Sequence, residues 1–247
     1  MLSGKLLRRG LQQTLRAPWQ TRSFLAATEK TKYDISSAPC RQEDDGPNCW
    51  KCHHITDCCS FFCKTCNAIQ PISKSCHCDY FEMFKLPKNF NLEPRTIEKT
   101  YWNLQKRLHP DLYGAKSEFE KKLSAVNAAV INDAYKMLKT PNTRVKYLLT
   151  LHGIDALGET ASTAVDPKLL MQTMEFRERI AEAPGVGVLH KMRKEVSDDI
   201  DAVINKLGEA YDRDQDLEST KQYAVQLQYM VKCVEEIDLK EEKLDEY

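Results

Sequence analysis

The sequence predicts a mostly α-helical protein with a small metal-binding module ahead of its helices. Nine of its ten cysteines fall between Cys40 and Cys78, which marks that segment as a separate unit. From Asp79 to about Leu239, apolar residues recur at helical spacing and strand signals are almost absent. We therefore expect a four-cysteine module, a helical hairpin and a C-terminal three-helix bundle.

One break in the helical pattern divides the helical part in two. Small residues between 153 and 165, among them Gly153 and Gly158, predict a linker. The expected organisation is a leader at 1–28, a cysteine module at 40–78, a first helical domain at 79–152, a linker at 153–165 and a second helical domain at 166–240.

Composition narrows the class of protein. Acidic and basic residues are balanced at 36 each, which gives no reason to expect nucleic-acid binding. No apolar run approaches the ~20 residues of a membrane helix.

Residues 1–28, in contrast to the balanced whole chain, carry five basic residues and no acid. This predicts a mitochondrial transit peptide, removed between about Arg22 and Thr28, and a location in the matrix. A disordered basic tail is the alternative, and a cytosolic fraction is left open.

Two CxxC pairs predict a metal site in the cysteine module. Cys49–Cys52 and Cys63–Cys66 are separated by ten residues, and each pair can form a turn that directs two thiolates at one point. Four thiolates favour structural zinc, whose binding would supply much of the folding free energy of so short a segment. Closed four-sulfur coordination leaves no position for catalysis.

Other chemistry for the module stays open. Disulfides and a thioredoxin-type redox pair are disfavoured, because the matrix keeps thiols reduced and no βαβ pattern surrounds either CxxC. Iron or an iron–sulfur cluster would also accept four thiolates. The additional candidate ligands are Cys58, Cys59, Cys76, Cys78, His53, His54 and His77.

A helical hairpin with an exposed tip is predicted next. Because the residue before a proline is disfavoured in helical geometry, the first helix should end at His109-Pro110-Asp111. A His-Pro-Asp tripeptide alone is usually a capping turn, but here it lies between two long apolar stripes. The stripes are Ile97, Tyr101, Leu104 and Leu108, then Phe119, Leu123, Val126, Val130, Ala134 and Met137.

This pattern resembles the J domain, and the segment Asp79-Tyr80-Phe81-Glu82-Met83-Phe84 is similar to the short first helix of that family. The resemblance implies docking on a DnaK-type chaperone, coupled to ATP hydrolysis by that chaperone. Basic residues on the first helix of the hairpin would steer it toward an acidic partner surface. The residues implied are His109, Pro110, Asp111, Lys99, Lys106 and Arg107.

The C-terminal domain should consist of three antiparallel helices. Its predicted buried stripes are Leu169, Thr173, Phe176 and Ile180; then Leu189, Val196, Ile200, Val203 and Leu207; then Thr220, Ala224, Leu227, Val231 and Val234.

An apolar set on the first of these helices points away from its stripe. Leu170, Met171 and Met174 should face outward, with acidic residues beside them, and this favours a protein-binding surface. A wide buried face would also absorb Leu170 and Met174.

From Asp79 to its end, the chain resembles the HscB family, including the segment Val145–Gly153 and the helix over 169–180. Members of that family bind the IscU-type scaffold on which iron–sulfur clusters are assembled. The cysteine module is typical of the animal members and absent from bacterial ones. The residues that match the scaffold-binding surface of the family are Leu170, Met171, Met174, Glu175, Glu178, Glu182 and Tyr229.

The resemblance implies a co-chaperone and not an enzyme. It would hold the scaffold, stimulate ATP hydrolysis by the chaperone and promote cluster transfer to recipient proteins. Two rivals remain: a metal- or cluster-carrying protein that uses the cysteine module, and a general J protein that delivers unfolded chains. Self-association of the protein is left open.

Overall fold

The computed structural model describes residues 48–72, 78–155 and 166–245. The predicted transit peptide and most of the predicted linker lie outside these ranges, and both stay predictions. In the described ranges, no helix has the length and apolar character needed to cross a membrane. The α-helices are α1 (Tyr80–Phe84), α2 (Pro94–Leu108), α3 (Glu118–Lys139), α4 (Pro141–Leu151), α5 (Pro167–Glu182), α6 (Val186–Gly208) and α7 (Leu217–Asp245).

The ends of the helices follow local chemistry. Asp79 caps α1, because its carboxylate accepts the backbone N–H of Glu82 at 2.9 Å and the Glu82 carboxylate accepts the N–H of Asp79 in return. Ser117 and Glu120 form the same capping box at the start of α3. As predicted, α2 ends at Leu108, and Pro110–Tyr113 forms a short 3-10 turn.

The α2–α3 hairpin is confirmed, but the predicted inner face of α3 is partly wrong. Phe119 is 46 % exposed, and Val126, Val130 and Met137 are only half-buried. The helix is rotated so that Ser124 and Asn127 face inward with partners. The buried residues of α3 are Leu123, Ser124, Asn127, Ala128, Ile131, Ala134 and Leu138.

The C-terminal three-helix bundle is confirmed, with α7 packed against both α5 and α6. The predicted stripe of α6 is buried throughout. On α5 only Ile180 is buried, because this helix packs mainly on one neighbour. On α7, Cys233 and Ile237 are buried, whereas the predicted Val231 and Val234 are half-buried. The 3.6-residue helical period accounts for this drift along a 29-residue helix.

The first helical domain and the bundle are joined at the loop Phe90–Asn91. The Asp212 carboxylate accepts the backbone N–H groups of both loop residues, at 2.7 and 2.8 Å. From the other side, the buried guanidinium of Arg144 donates to the carbonyl of Phe90 at 2.5 Å. A Cβ at Gly208 would lie 2.2 Å from the Asn91 side chain, so glycine permits this close approach. Because α4 also packs on α7, the two units form one body.

Replacing Asp212 with alanine should destabilise this joint. The change leaves the N–H of Phe90 without its acceptor and removes the negative charge that offsets part of the burial of the Arg144 guanidinium, at a cost of about 1–3 kcal/mol in the free energy of unfolding. Urea unfolding measures the loss. Asp214→Ala is the control, because it removes only an exposed ion pair and should change stability by less than about 0.5 kcal/mol. Equal losses in the two variants would contradict the role of Asp212.

Candidate functional site

Two matching turns build the cysteine module. In the first turn, the backbone N–H of His53 donates to the carbonyl of Cys49 at 3.0 Å. In the second turn, the backbone N–H of Asn67 donates to the carbonyl of Cys63 at 3.0 Å. His53 and Asn67 both adopt positive φ, of 60° and 56°. The bridges Asn48↔Ile55 and Phe62↔Ile69 close the turns in the same way. The module therefore contains two backbone turns of the same type, and each turn carries one CxxC pair.

The two turns bring the four predicted cysteines together. The Sγ atoms of Cys49, Cys52, Cys63 and Cys66 all lie within 4.8 Å of one another. The Cys49–Cys66 and Cys52–Cys63 sulfur pairs are 3.6 and 3.7 Å apart. Four sulfurs bonded to one tetrahedral Zn²⁺ at ~2.3 Å would be about 3.8 Å apart. These residues can therefore hold a metal ion of that kind with little rearrangement.

The surroundings of these sulfurs shift the pKa values of two of the thiols in opposite directions. Backbone N–H groups of Cys66 and Thr65 lower the pKa of the Cys63 thiol to about 6. The pKa of Cys52 is raised to about 12: the N–H of His54 favours its thiolate, but burial and the neighbouring sulfurs outweigh that effect. Four thiolates so close together repel one another, so the fully ionised cluster requires a bound cation.

Sequence reasoning missed Gln70, whose side chain forms a hydrogen bond with one sulfur of the four-cysteine cluster. Its buried side-chain amide donates to the Cys49 Sγ at 3.3 Å and to the carbonyl of Ala68 at 2.9 Å. Trp50 packs against the same cluster, and its indole N–H donates to the carbonyl of Ile69 at 2.6 Å. No spacing rule identifies either residue, although a tryptophan inside a CxxC pair is a weak signal.

The module is docked on the α2–α3 hairpin. The Arg107 guanidinium lies 3.7 Å from the centre of the Phe62 ring and donates to the Asn67 side chain at 2.7 Å. On α3, Asn127 donates to the carbonyl of Gln70 at 2.9 Å. The Phe119 ring meets Trp50 edge-on, at 5.2 Å between centroids, which explains why this phenylalanine lies outside the hairpin core.

The tripeptide His109-Pro110-Asp111, called the tip below, lies in solvent at the end of α2. The side chains of His109 and Asp111 are 51 % and 89 % exposed. The Nδ1 atom of His109 accepts the N–H of Asp111 at 3.4 Å, which orients the imidazole over the turn. The Ser124 hydroxyl, which donates to the carbonyl of Leu108 at 2.7 Å, fixes the last turn of α2 below it.

The three predicted basic residues of α2 differ in their surroundings. Lys99 and Lys106 are exposed along the helix. Arg107 is also exposed, but its guanidinium contacts the cysteine module as described above. The hairpin therefore presents the two lysines and the tip to solvent, while Arg107 also ties the module to α2.

The predicted outward set on α5 is exposed. Leu170, Met171 and Met174 are 36 %, 64 % and 63 % exposed. Together with the exposed Glu175, Glu178 and Glu182, they form the surface that we call the α5 patch. Tyr229 lies on the neighbouring helix α7, where it is half-buried and has the Lys232 ammonium 5.8 Å from its ring centre. It is thus less exposed than Met171 and Met174.

The remaining cysteine-module candidates divide into three groups. Cys76 and His77 lie outside the described residues. His53 and His54 are exposed and are not part of the four-sulfur group. Cys58, Cys59 and Cys78 form a second group of their own.

Known proteins resemble the chain over most of its length. The iron–sulfur cluster co-chaperone protein HscB of Mus musculus is 31 % identical over 196 residues, which cover 78 % of this chain and 82 % of the mouse protein. The chain belongs to the HscB co-chaperone family. The mouse alignment is longer than the part of the chain that follows Cys78, so this HscB protein also matches residues from the cysteine-rich side.

Other members of the HscB family agree with this assignment. The model of the HSCB C-terminal oligomerisation domain matches residues 165–238. The HscB homolog of Burkholderia thailandensis is 36 % identical over 169 residues, or 67 % of this chain and 95 % of that protein. The crystal structure of human HscB aligns with a TM-score of 0.70 at 30 % identity, covering 78 % of this chain and 98 % of the human one.

Loss of the four-sulfur site should loosen the module alone. In a Cys52→Ser plus Cys66→Ser variant, amides in 48–72 should exchange at least about tenfold faster, because a metal ion held by these four sulfurs would supply much of the ordering energy of this segment. Hydrogen exchange read by mass spectrometry measures this. Amides of α6 and α7 should stay protected.

The matched control changes Lys51 and Lys64 to serine, because these residues are exposed and lie inside the same CxxC pairs. It should leave exchange in the module unchanged. Fast exchange in the control, or slow exchange in the double cysteine variant, would show that metal does not order this segment.

Proposed function

We propose that this protein is a co-chaperone of iron–sulfur cluster assembly that joins an IscU-type scaffold to a DnaK-type chaperone of the mitochondrial matrix. The observation that supports the proposal is that one compact unit carries two exposed surfaces: the tip on the α2–α3 hairpin and the α5 patch on the bundle. Neither surface has the arrangement of an active site, so the proposed role is binding and not catalysis.

The tip engages the chaperone. Its proline removes backbone flexibility, and Asp111 projects a carboxylate that is almost fully exposed. Such a carboxylate can form charge-assisted hydrogen bonds to a cationic or N–H donor on the chaperone. Lys99 and Lys106, exposed on the same helix, would steer α2 toward an acidic surface and raise the association rate.

The α5 patch binds the scaffold. Exposed methionines adapt to irregular apolar surfaces, and the neighbouring acids set charge preference at the rim. The ion pairs Arg177–Glu236 and Arg179–Glu195 hold α5 against the rest of the bundle, which keeps the patch in a defined orientation.

Holding both partners at once gives the mechanism. With the scaffold on α5 and the chaperone at the tip, the local concentration of scaffold at the substrate site of the chaperone rises without any new contact. Hydrolysis of ATP by the chaperone then traps the scaffold and promotes cluster transfer to recipient proteins.

The four-sulfur site of the module would hold structural zinc through Cys49, Cys52, Cys63 and Cys66. Bound zinc neutralises the thiolates and closes the two turns on each other. The contacts of Arg107 and Asn127 with the ordered module would then stiffen the hairpin that bears the tip. Self-association is proposed only as a property of the bundle, whose residues match the family's C-terminal oligomerisation domain.

Asp111→Asn should abolish most stimulation of the chaperone. The loss of one charge-assisted contact of about 1.5–3 kcal/mol would weaken the productive complex roughly ten- to hundredfold, without harm to the fold. The measurement is ATP hydrolysis by the purified chaperone in the presence of scaffold. Asp133→Asn, a change of an exposed acid on α3, is the control and should stimulate normally. Full stimulation by Asp111→Asn would refute the proposed docking.

Met171→Ala combined with Met174→Ala should weaken scaffold binding roughly ten- to hundredfold, because two exposed anchors are truncated at one interface. Calorimetric titration with purified scaffold gives the change in Kd. The control is Val188→Ala with Leu239→Ala, which removes apolar surface that is 40 % and 55 % exposed on other helices.

A second measurement on the same variants separates a dedicated co-chaperone from a general J protein. Binding of an unfolded model protein should be the same for the methionine variant, the control and the parent chain. If the protein were a general J protein, the methionine variant would instead lose affinity for both the scaffold and the unfolded protein, or for neither of them.

A further inference from the structure

A second group of sulfurs lies beside the four-cysteine site and is not used by it. Cys58, Cys59 and Cys78 place their Sγ atoms within 4.8 Å of one another. Cys59 and Cys78 form a disulfide, and the Sγ of Cys58 lies 3.8 Å from that of Cys78. The three residues come from two separate parts of the chain, the loop between the CxxC turns and the residue that precedes the α1 cap.

One carboxylate lies beside these three sulfurs, next to Cys59. A carboxylate oxygen of Glu82 lies 3.5 Å from the Cys59 Sγ. The Cys58–Cys78 separation of 3.8 Å matches the ~3.8 Å edge of a tetrahedron with ~2.3 Å zinc–sulfur bonds. Three thiolates and one carboxylate oxygen are donors that Zn²⁺ accepts in tetrahedral sites. The Lys88 ammonium, 2.9 Å from Glu82 and 2.6 Å from Asp79, offsets part of the negative charge.

We propose that the reduced protein binds a second divalent cation of the zinc class through Cys58, Cys59, Cys78 and Glu82, and that the Cys59–Cys78 disulfide is the cation-free form of the same site. The two forms exclude each other, because a sulfur in a disulfide has no thiolate to offer the metal. This site is independent of the proposed co-chaperone function.

Conversion between the forms balances as a two-electron exchange. With a thiol reductant, two thiols give up two electrons and two protons to the Cys59–Cys78 disulfide and become a disulfide themselves. With a phosphine, the phosphorus supplies the two electrons, and one water molecule supplies the oxygen of the phosphine oxide and the two protons of the new thiols. Binding of the cation then releases the thiol protons of Cys58, Cys59 and Cys78 to the buffer.

Either form links the module to the first helical domain. Cys78 is the last residue of the module and precedes Asp79, which caps α1, while Cys58 and Cys59 lie in the loop between the two CxxC turns. A disulfide fixes two of the three sulfurs, whereas the cation would fix all three and draw in Glu82 from the capping box. The second site would therefore make the junction between the two units respond to both redox state and metal supply.

Metal counting on the full chain tests the proposal. The purified protein is treated anaerobically with a water-soluble phosphine, loaded with zinc, freed of weakly bound metal and assayed for zinc per chain. We expect two ions in the reduced protein and one in the disulfide form. The Cys58→Ser plus Cys78→Ser variant cannot form the disulfide and should bind one ion with or without phosphine treatment. Glu82→Gln should bind the second ion at least about tenfold more weakly.

Cobalt substitution identifies which site is filled. The Cys52→Ser plus Cys66→Ser variant, when reduced, should bind one Co²⁺ with a sulfur-to-cobalt absorption band weaker than that of a four-thiolate site, because only three thiolates contribute. Cys233→Ala removes a distant buried thiol and should keep both ions. One ion in the reduced parent chain, or two in the Cys58→Ser plus Cys78→Ser variant, would overturn the proposal.

Discussion

The α2–α3 hairpin is the constraint on which the other functional features depend. Buried apolar residues on both helices hold it together, and the Ser124 hydroxyl bonds the carbonyl of Leu108 at the point where α2 must stop. Pro110 makes that stop obligatory, because its ring disfavours helical geometry in the residue before it. The C-terminal end of α2, which would otherwise fray, is thereby held next to a defined, solvent-exposed turn at His109–Asp111.

The same hairpin supports the cysteine module, so the two features are physically linked. Arg107 lies two residues before His109 and contacts both Phe62 and Asn67, while its own carbonyl accepts the Tyr113 hydroxyl at 3.1 Å. The last turn of α2 is thus bonded to the metal-binding segment on one side and to the 3-10 turn on the other. An ordered module adds contacts at the part of the hairpin whose orientation matters most for docking.

Local rules predicted helix ends and the first metal cluster, because prolines, caps and CxxC spacing act over a few residues. They failed where long-range packing decides. The rotation of α3 follows from hydrogen bonds that Ser124 and Asn127 make to distant carbonyls, and no periodicity of apolar residues contains that information. The meeting of Cys59 with Cys78 was equally hidden, since sequence spacing does not fix which loops approach each other.

The contacts at the Phe90–Asn91 joint determine how two binding surfaces on one chain can act together. If the hairpin and the bundle moved freely, linker length alone would set the effective concentration of one partner near the other. Instead, Asp212 and Arg144 both form hydrogen bonds with the backbone of Phe90, and α4 packs along α7. A scaffold on α5 would therefore meet a chaperone at the tip in an orientation that these contacts favour, because the joint brings the hairpin and the bundle together in one compact unit.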